Sequence, residues 1–427
     1  MIAALIMCLL IGLIALGMPI AFALAVCGAL GLYLEVGVSP MLSVLQTTPY
    51  RTAASFLLST VPLFILMAEL LARGSIVRAL YRACYLWLGH IRGGLALAAI
   101  AASVGFAVLS GSSTAAAAAM SRISMPEMRR YGYNESFALG VVAVGGTLSI
   151  MIPPSLPLIL YGVLTETSIG RLFLAGILPG ALTALFYVVT IVVRVRRNPD
   201  LAPPTERHAW PERLSSLPGT SPAIILVFLV LGGIYSGAIT ATEAAAVGAA
   251  GAFIISVLVG GLRWNGIKDA FGATLSTTSM IFAIIIGAMI FGYFLAITQV
   301  PQALVTWVGG LPLPSWTILL IIILLYLVLG FFIDQIAIII LTLPLIFPLV
   351  LAQGYDPIWF GIILTKTVEM GLVTPPLGLN VFVACGATNT RVEAGFRGVT
   401  PFLLGDLVVI LLLILFPPIA TFLPSLM

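Results

Sequence analysis

Apolar runs follow one another from Ile2 to the C-terminal end, broken only by short polar stretches. They lack the period-two alternation of lipid-facing strands, so the pattern predicts membrane helices and not a β-barrel. The first run, Ile2–Leu34, has 33 residues. As one helix it would extend ~50 Å against a hydrocarbon core of ~30 Å, so two spans are expected, meeting near Gly17-Met18-Pro19. One long polar segment, 194–220, divides the chain into 1–193 and 221–427.

The halves resemble each other in register. GYNESF begins at Gly132 and GYDPIW at Gly354, and the same separation of 222 positions relates Pro126 to Pro348 and Pro153-Pro154 to Pro375-Pro376. A duplicated unit accounts for this spacing. Arg194, Arg196, Arg197, Arg207 and Arg213 place the polar segment in the cytoplasm as a linker. Arg73, Arg78, Arg82 and Arg92 mark a second cytoplasmic patch, in which IVRALYRACYLWL suits a helix lying in the interface. Both patches come out cytoplasmic if the two termini are external and the second unit is inverted relative to the first.

That count holds only if 93–128 and 314–349 do not cross the membrane, so each is expected to be a re-entrant hairpin, the first opening to the cytoplasm and the second to the outside. Broken helices are expected at about 136–162 and 357–385. The expected architecture is an all-α polytopic membrane protein with inverted repeats, two hairpins and two discontinuous helices.

Ser110-Gly111-Ser112-Ser113-Thr114 falls at the first hairpin tip, where the chain turns and backbone groups lose helical partners. Hydroxyls and carbonyls of this kind, with no thiolate or imidazole among them, suit an alkali cation better than a transition metal. Isolated Ser and Thr more often bond back to their own helix, but a run of five small residues is less easily explained so. GGTLSIMIPPSLP and EMGLVTPPLGLN each put a double proline inside a span, freeing carbonyls at matched depth and bringing in Ser155 and Asn380. The substrate site is therefore expected between the hairpin tips and the proline breaks, among Ser110–Thr114, Gly145–Ser155, Asp334 and Thr374–Asn380.

Asp334, 222 positions after Ser112, lies in the apolar LGFFIDQIAIII. An intramembrane carboxylate costs at least ~2.5 kcal/mol unless it is paired or holds a cation. Pairing with Lys366 is the structural alternative, weakened because Lys366 and Glu369 stand three apart on one helix. Glu243, after Thr240 and Thr242, is expected to cap a helix start.

Hydrophobic residues make up 61% of the chain and charged residues 8%, which excludes a soluble domain. The 42 glycines predict close helix crossings. A net charge of +4, from scattered residues, offers no nucleic-acid surface. No removable signal peptide is expected after Met1. Cys8, Cys27, Cys84 and Cys385 lack paired spacing, and His90 and His208 lie in polar stretches, so neither a metal centre nor a Ser-His hydrolase is indicated.

SGSSTAAAAA, MPEMRRYGYNESFALG, GGTLSIMIPPSLPLILYG, GGIYSGAITATEAAAVGA and GLVTPPLGLNVFVACG together resemble the large membrane subunit (DctM/SiaM-like) of the tripartite ATP-independent periplasmic, or TRAP, transporters. The resemblance covers nearly the whole chain. It implies a bacterial inner-membrane elevator transporter that takes organic acids, such as dicarboxylates or sialic acids, from a periplasmic binding protein. It also implies a separate small four-helix membrane subunit and a sodium gradient, with two or more sodium ions as cofactors. Sodium ligands are then expected among Ser112, Ser113, Gly146, Thr147, Asp334, Thr374 and Gly378, and substrate contacts among Ser110–Thr114, Pro153, Pro154, Ser155, Thr374, Pro375 and Asn380. Met120 and Ser149 stand where similar sequences often have glycine, and Ala241 where they often have proline. The alternatives are an intramembrane hydrolase, against which stands the lack of a membrane histidine or a second membrane aspartate, and a passive channel, against which stand the two hairpins and the inverted repeats.

Overall fold

The computed structural model describes residues 2–427, and among these every regular element is helical. The first half opens with α1 (Ile2–Ala15) and α2 (Ile20–Val36). Gly17, at φ +85°, and Pro19, at the cap of α2, separate them, because proline cannot continue the preceding helix and glycine accepts the reversed turn. Then come α3 (Val38–Ala53) and α4 (Thr60–Arg73), bent by 55° at their junction. Next is α5 (Ile76–Leu88), a two-faced helix that buries Ile76, Val77, Tyr81, Ala83 and Leu86 while Arg78 and Arg82 stay exposed.

Two turn-joined helices follow, α6 (Gly94–Ser110) and α7 (Ser113–Arg130), and then α8 (Glu135–Met151), α9 (Leu156–Thr165) and α10 (Ile169–Arg197). The polar segment contains the short α11 (Trp210–Ser215), docked on α5. Trp87 Nε1 donates to the Arg213 carbonyl at 3.3 Å, and Arg213 Nη2 lies 3.3 Å from His90 Nδ1.

The second half has α12 (Ser221–Tyr235), α13 (Ala241–Leu258), α14 (Trp264–Ile297) and α15 (Val300–Gly309). It continues with α16 (Ser315–Phe332), α17 (Gln335–Ala352), α18 (Pro357–Gly371), α19 (Leu379–Thr388), α20 (Val392–Leu415) and α21 (Pro418–Ser425). Thr240 and Glu243 form a reciprocal capping box at the start of α13, as the acid after two threonines leads one to expect. Caps recur at matched positions. The Asn134 side chain accepts from Phe137 N–H and the Asp356 side chain from Trp359 N–H, at 3.0 and 2.8 Å. The clearest difference between the halves is that bent α3 and α4 stand where the other half has the single 34-residue α14.

Seven helical segments are long and apolar enough to cross a membrane, eight if the bent pair is one span. Burial sorts them: 94% of the α8–α9 span window lies inside the protein but only 28% of α16, which makes α8 a central post and α16 a peripheral, lipid-facing helix. α8 packs against α6, α7, α10, α18, α19 and α20, whereas α2, α4, α13 and α14 form a second packed group. The two groups meet where α4 touches α6 and α9 and where α14 touches α17.

Candidate functional site

At the α6–α7 turn, Gly111 takes φ +58° and ends α6. A side chain there would bring its Cβ within 2.9 Å of the Pro154 carbonyl, so glycine lets the turn press against the first proline break. Ser110 Oγ donates to Ser149 Oγ at 3.2 Å, which ties the end of α6 to α8. Ser112 caps α7: its Oγ accepts from Ala115 N–H at 3.5 Å and lies 3.5 Å from Thr114 Oγ1.

The first break is fully enclosed. Pro153 and Pro154 are joined by a cis bond and buried, and Ser155 caps α9 while donating to the Ile150 carbonyl. The second break has the same cis Pro375-Pro376, but Pro375, Pro376 and Leu377 are exposed. Thr374 Oγ1 donates back to the Met370 carbonyl at 2.7 Å, and Gly378, at φ +52°, precedes α19. Asn380 reaches across instead: its Nδ2 donates to Ser113 Oγ, joining α19 to the first turn, while its buried Oδ1 has no partner.

Asp334 takes the position in the second half that Ser112 holds in the first, and it too is an N-cap, its Oδ2 accepting from Ile336 N–H at 3.1 Å. Ser110, Ser112, Thr114, Leu156, Asp334 and Gln335 share one cavity of about 480 Å³, closed on the other side by Glu69 of α4 and Thr277 of α14. The structure therefore brings both turn tips and the start of α9 to one space. Thr374, Pro375, Gly378 and Asn380 are not among the residues lining it.

Thr147 and Gly146 face other neighbours. Thr147 Oγ1 donates to the Val144 carbonyl at 2.8 Å and lies 3.2 Å from the Tyr187 hydroxyl, while Gly146 packs on Ala117 of α7. Tyr187 in turn donates to Asp406 Oδ1 at 2.8 Å, the oxygen that also receives Lys366 Nζ at 2.7 Å, and Lys366 reaches Glu369 Oε1 at 3.1 Å. All five side chains are fully buried. Lys366 is thus the partner of Glu369 and Asp406, and Asp334 is free of it. A second intramembrane aspartate does exist, contrary to the expectation from sequence. It belongs to this ionic cluster on α20 and does not line the Asp334 cavity, so the two aspartates form no hydrolytic pair there.

The backbone fold is that of a polytopic membrane transporter. It matches the Alcanivorax borkumensis YdaH transporter with a TM-score of 0.61 at 13% identity, covering 95% of this chain and 96% of that one. Neisseria gonorrhoeae MtrF, described as illuminating a class of antimetabolite efflux pumps, matches with a TM-score of 0.51 at 14% identity over 92% and 93%. Residues 7–419 match the family model of the tripartite ATP-independent periplasmic transporter, DctM component, and the chain belongs to that family. The C4-dicarboxylate TRAP transporter large permease protein DctM of Pseudomonas aeruginosa is 37% identical over 92% of this chain and 94% of its own. The ectoine TRAP transporter large permease protein TeaC of Halomonas elongata is 31% identical over 97% of both. The sialic acid protein SiaM of Vibrio cholerae is 33% identical over 87% of both. These relatives are named as permeases, a family of transporters and not of enzymes, and the family is that of a tripartite periplasmic transport system.

Proposed function

We propose that the chain is the sodium-coupled membrane carrier of its tripartite system, moving a small organic acid that the binding protein delivers, by an elevator motion of the α8-centred group against the α2–α4–α13–α14 group. The observation that carries this reading is the single cavity shared by the two turn tips, with Ser112 and Asp334 as matched caps. Hydroxyls, freed carbonyls and one carboxylate at a helix break are the donor set that a hard alkali ion takes from protein. Asp334 is assigned to a sodium site together with oxygens of the Ser112–Ser113 turn. Both termini are assigned to the periplasm and the α11 segment to the cytoplasm of a bacterial inner membrane, because the arginines then lie inside. Packing of α4 and α14 against the other group at few points leaves a seam along which the groups slide.

The test is uptake of labelled organic acid into vesicles holding the chain with its small subunit and binding protein, with and without an inward sodium gradient. Uptake is expected only with the gradient, and Asp334→Asn is expected to lose much of the sodium dependence at normal expression. Gradient-independent uptake by the native protein would refute the coupling.

A further inference from the structure

Resting on the carrier reading above and its orientation, we propose that a second cavity, of about 910 Å³, is the outward station of the same site, and that Arg51 receives the substrate's carboxylate there. The turn tips reach it by a stroke of ~15 Å along α4 and α14.

The two cavities lie on one seam. Both are walled by α4 and α14 of the fixed group and by α9 of the mobile, α8-centred group, and they share no residue. On α14 the 480 Å³ cavity meets Thr277 and Met280, and the larger one meets Ile285, Met289 and Tyr293. Along α4 the order is reversed, with Glu69 and Ala72 at the smaller cavity and Leu57 and Leu58, just before the helix, at the larger. Met280 to Met289 and Glu69 to Leu58 each correspond to ~15 Å of helical rise, so both walls give the same stroke. Between the cavities Phe64 of α4 meets Phe173 of α10 edge-on, with ring centres 5.9 Å apart and both side chains buried. The seam is sealed there, so an acid held at the turn tips changes cavity by travelling with them.

The two stations differ in charge. No Lys, Arg or His side chain lines the smaller cavity, and its Glu69 is held by Arg73 at 3.1 Å. At the larger one Thr48, Arg51 and Thr52 form one face of α3, and Ser55 follows at the bend that α14 lacks. Arg51 is exposed and takes part in none of the ion pairs among the described residues. It stays with the fixed group, because α3 packs on α2 and α14.

The negative groups of that lining belong to the other body. Glu166 ends α9, and the terminal Met427 follows α21, which packs on α10. The stroke carries both away from Arg51 and brings in the tips, where Asp334 is occupied by its sodium. Arg51 then faces the bound acid. A guanidinium–carboxylate contact made at one station alone raises affinity there and shifts the loaded carrier toward it. The sodium gradient still drives accumulation, while Arg51 favours loading from outside and its absence from the inner station favours release.

The experiment uses the full chain with its small subunit in nanodiscs and sodium buffer, its native cysteines replaced. Ala115→Cys is combined with Met280→Cys or with Met289→Cys, and each pair is treated with a short bifunctional thiol reagent. Both pairs are expected to cross-link, each in a fraction of the molecules, since Ala115 lines the smaller cavity with Met280 and comes level with Met289 after the stroke. If the Met289 pair never links, the outward station is overturned; sodium-dependent uptake in vesicles then leaves the carrier reading standing, and gradient-independent uptake removes both. The two trapped forms are next titrated with succinate, pyruvate and gluconate. Arg51→Gln is expected to weaken the tightest of these about fivefold in the Met289-linked form, the scale of one partly exposed ion pair, and to leave the Met280-linked form unchanged. Arg51→Lys should recover part of the loss. Equal loss in both forms, no loss in either, or no binding of any probe to the Met289-linked form overturns the role of Arg51.

Discussion

Asp406 Oδ1 accepts from Lys366 and Tyr187 at once, and Lys366 also holds Glu369. Removing the lysine would strand two carboxylates that are fully buried, and breaking a buried pair from one side costs roughly 3–5 kcal/mol. Lys366→Met is therefore expected to lower the thermal unfolding midpoint of the purified protein sharply, and Asp406→Asn added to it should recover part of the loss. Equal stability of the single variant and the native protein would show that the cluster is not ionic. The rule that singled out Asp334 in the sequence, a carboxylate within an apolar span, applies equally to Glu69, Glu369 and Asp406. Sequence spacing exposed the Lys366–Glu369 pair because both sit on one helix. It was silent on Asp406, whose partners lie 40 and 219 positions away.

At the scale of elements, local chemistry marked most breaks. Gly17-Pro19, the two double prolines and the Ser-Gly-Ser run all end helices in the structure, because each removes a donor or needs a conformation that ordinary residues avoid. The bend between α3 and α4 is marked only by Pro62 in the first turn of α4, and its counterpart α14 runs unbroken through 34 residues. Which broken segments meet was also hidden: Asn380 joins Ser113, while Thr374 and Pro375 stay out of the cavity, and only the packing of α19 on α7 decides this. That packing rests on α7 lying close to α8. A Cβ added at Gly146 would stand 2.7 Å from the Ala117 nitrogen, so Gly146→Val must push the helices apart, an overpacking cost of about 1–3 kcal/mol. The variant is expected to reach the membrane but to take up labelled substrate at a small fraction of the native rate. Native uptake would mean that the α7–α8 contact can open freely.

For the whole molecule, the arginine distribution and the docking of α11 on α5 make one prediction of sidedness. Ser215 is exposed at the end of α11, its hydroxyl bound only to the Glu212 carbonyl. A cysteine placed there in a chain whose other cysteines are replaced should resist a membrane-impermeant maleimide added to intact cells and react once the cells are opened. Ready labelling from outside would reverse the assigned orientation.

The Asp406 cluster also bears on mechanics. One oxygen atom receiving two donors, away from water, tolerates displacements of only a few tenths of an ångström before both bonds weaken. Through it α8, α10, α18 and α20 are riveted at their common centre. Shear inside that block is stiff, and compliance is left to its perimeter. On the proposed transport reading, that block travels as one body along the boundary with α4 and α14, where the 480 Å³ cavity lies.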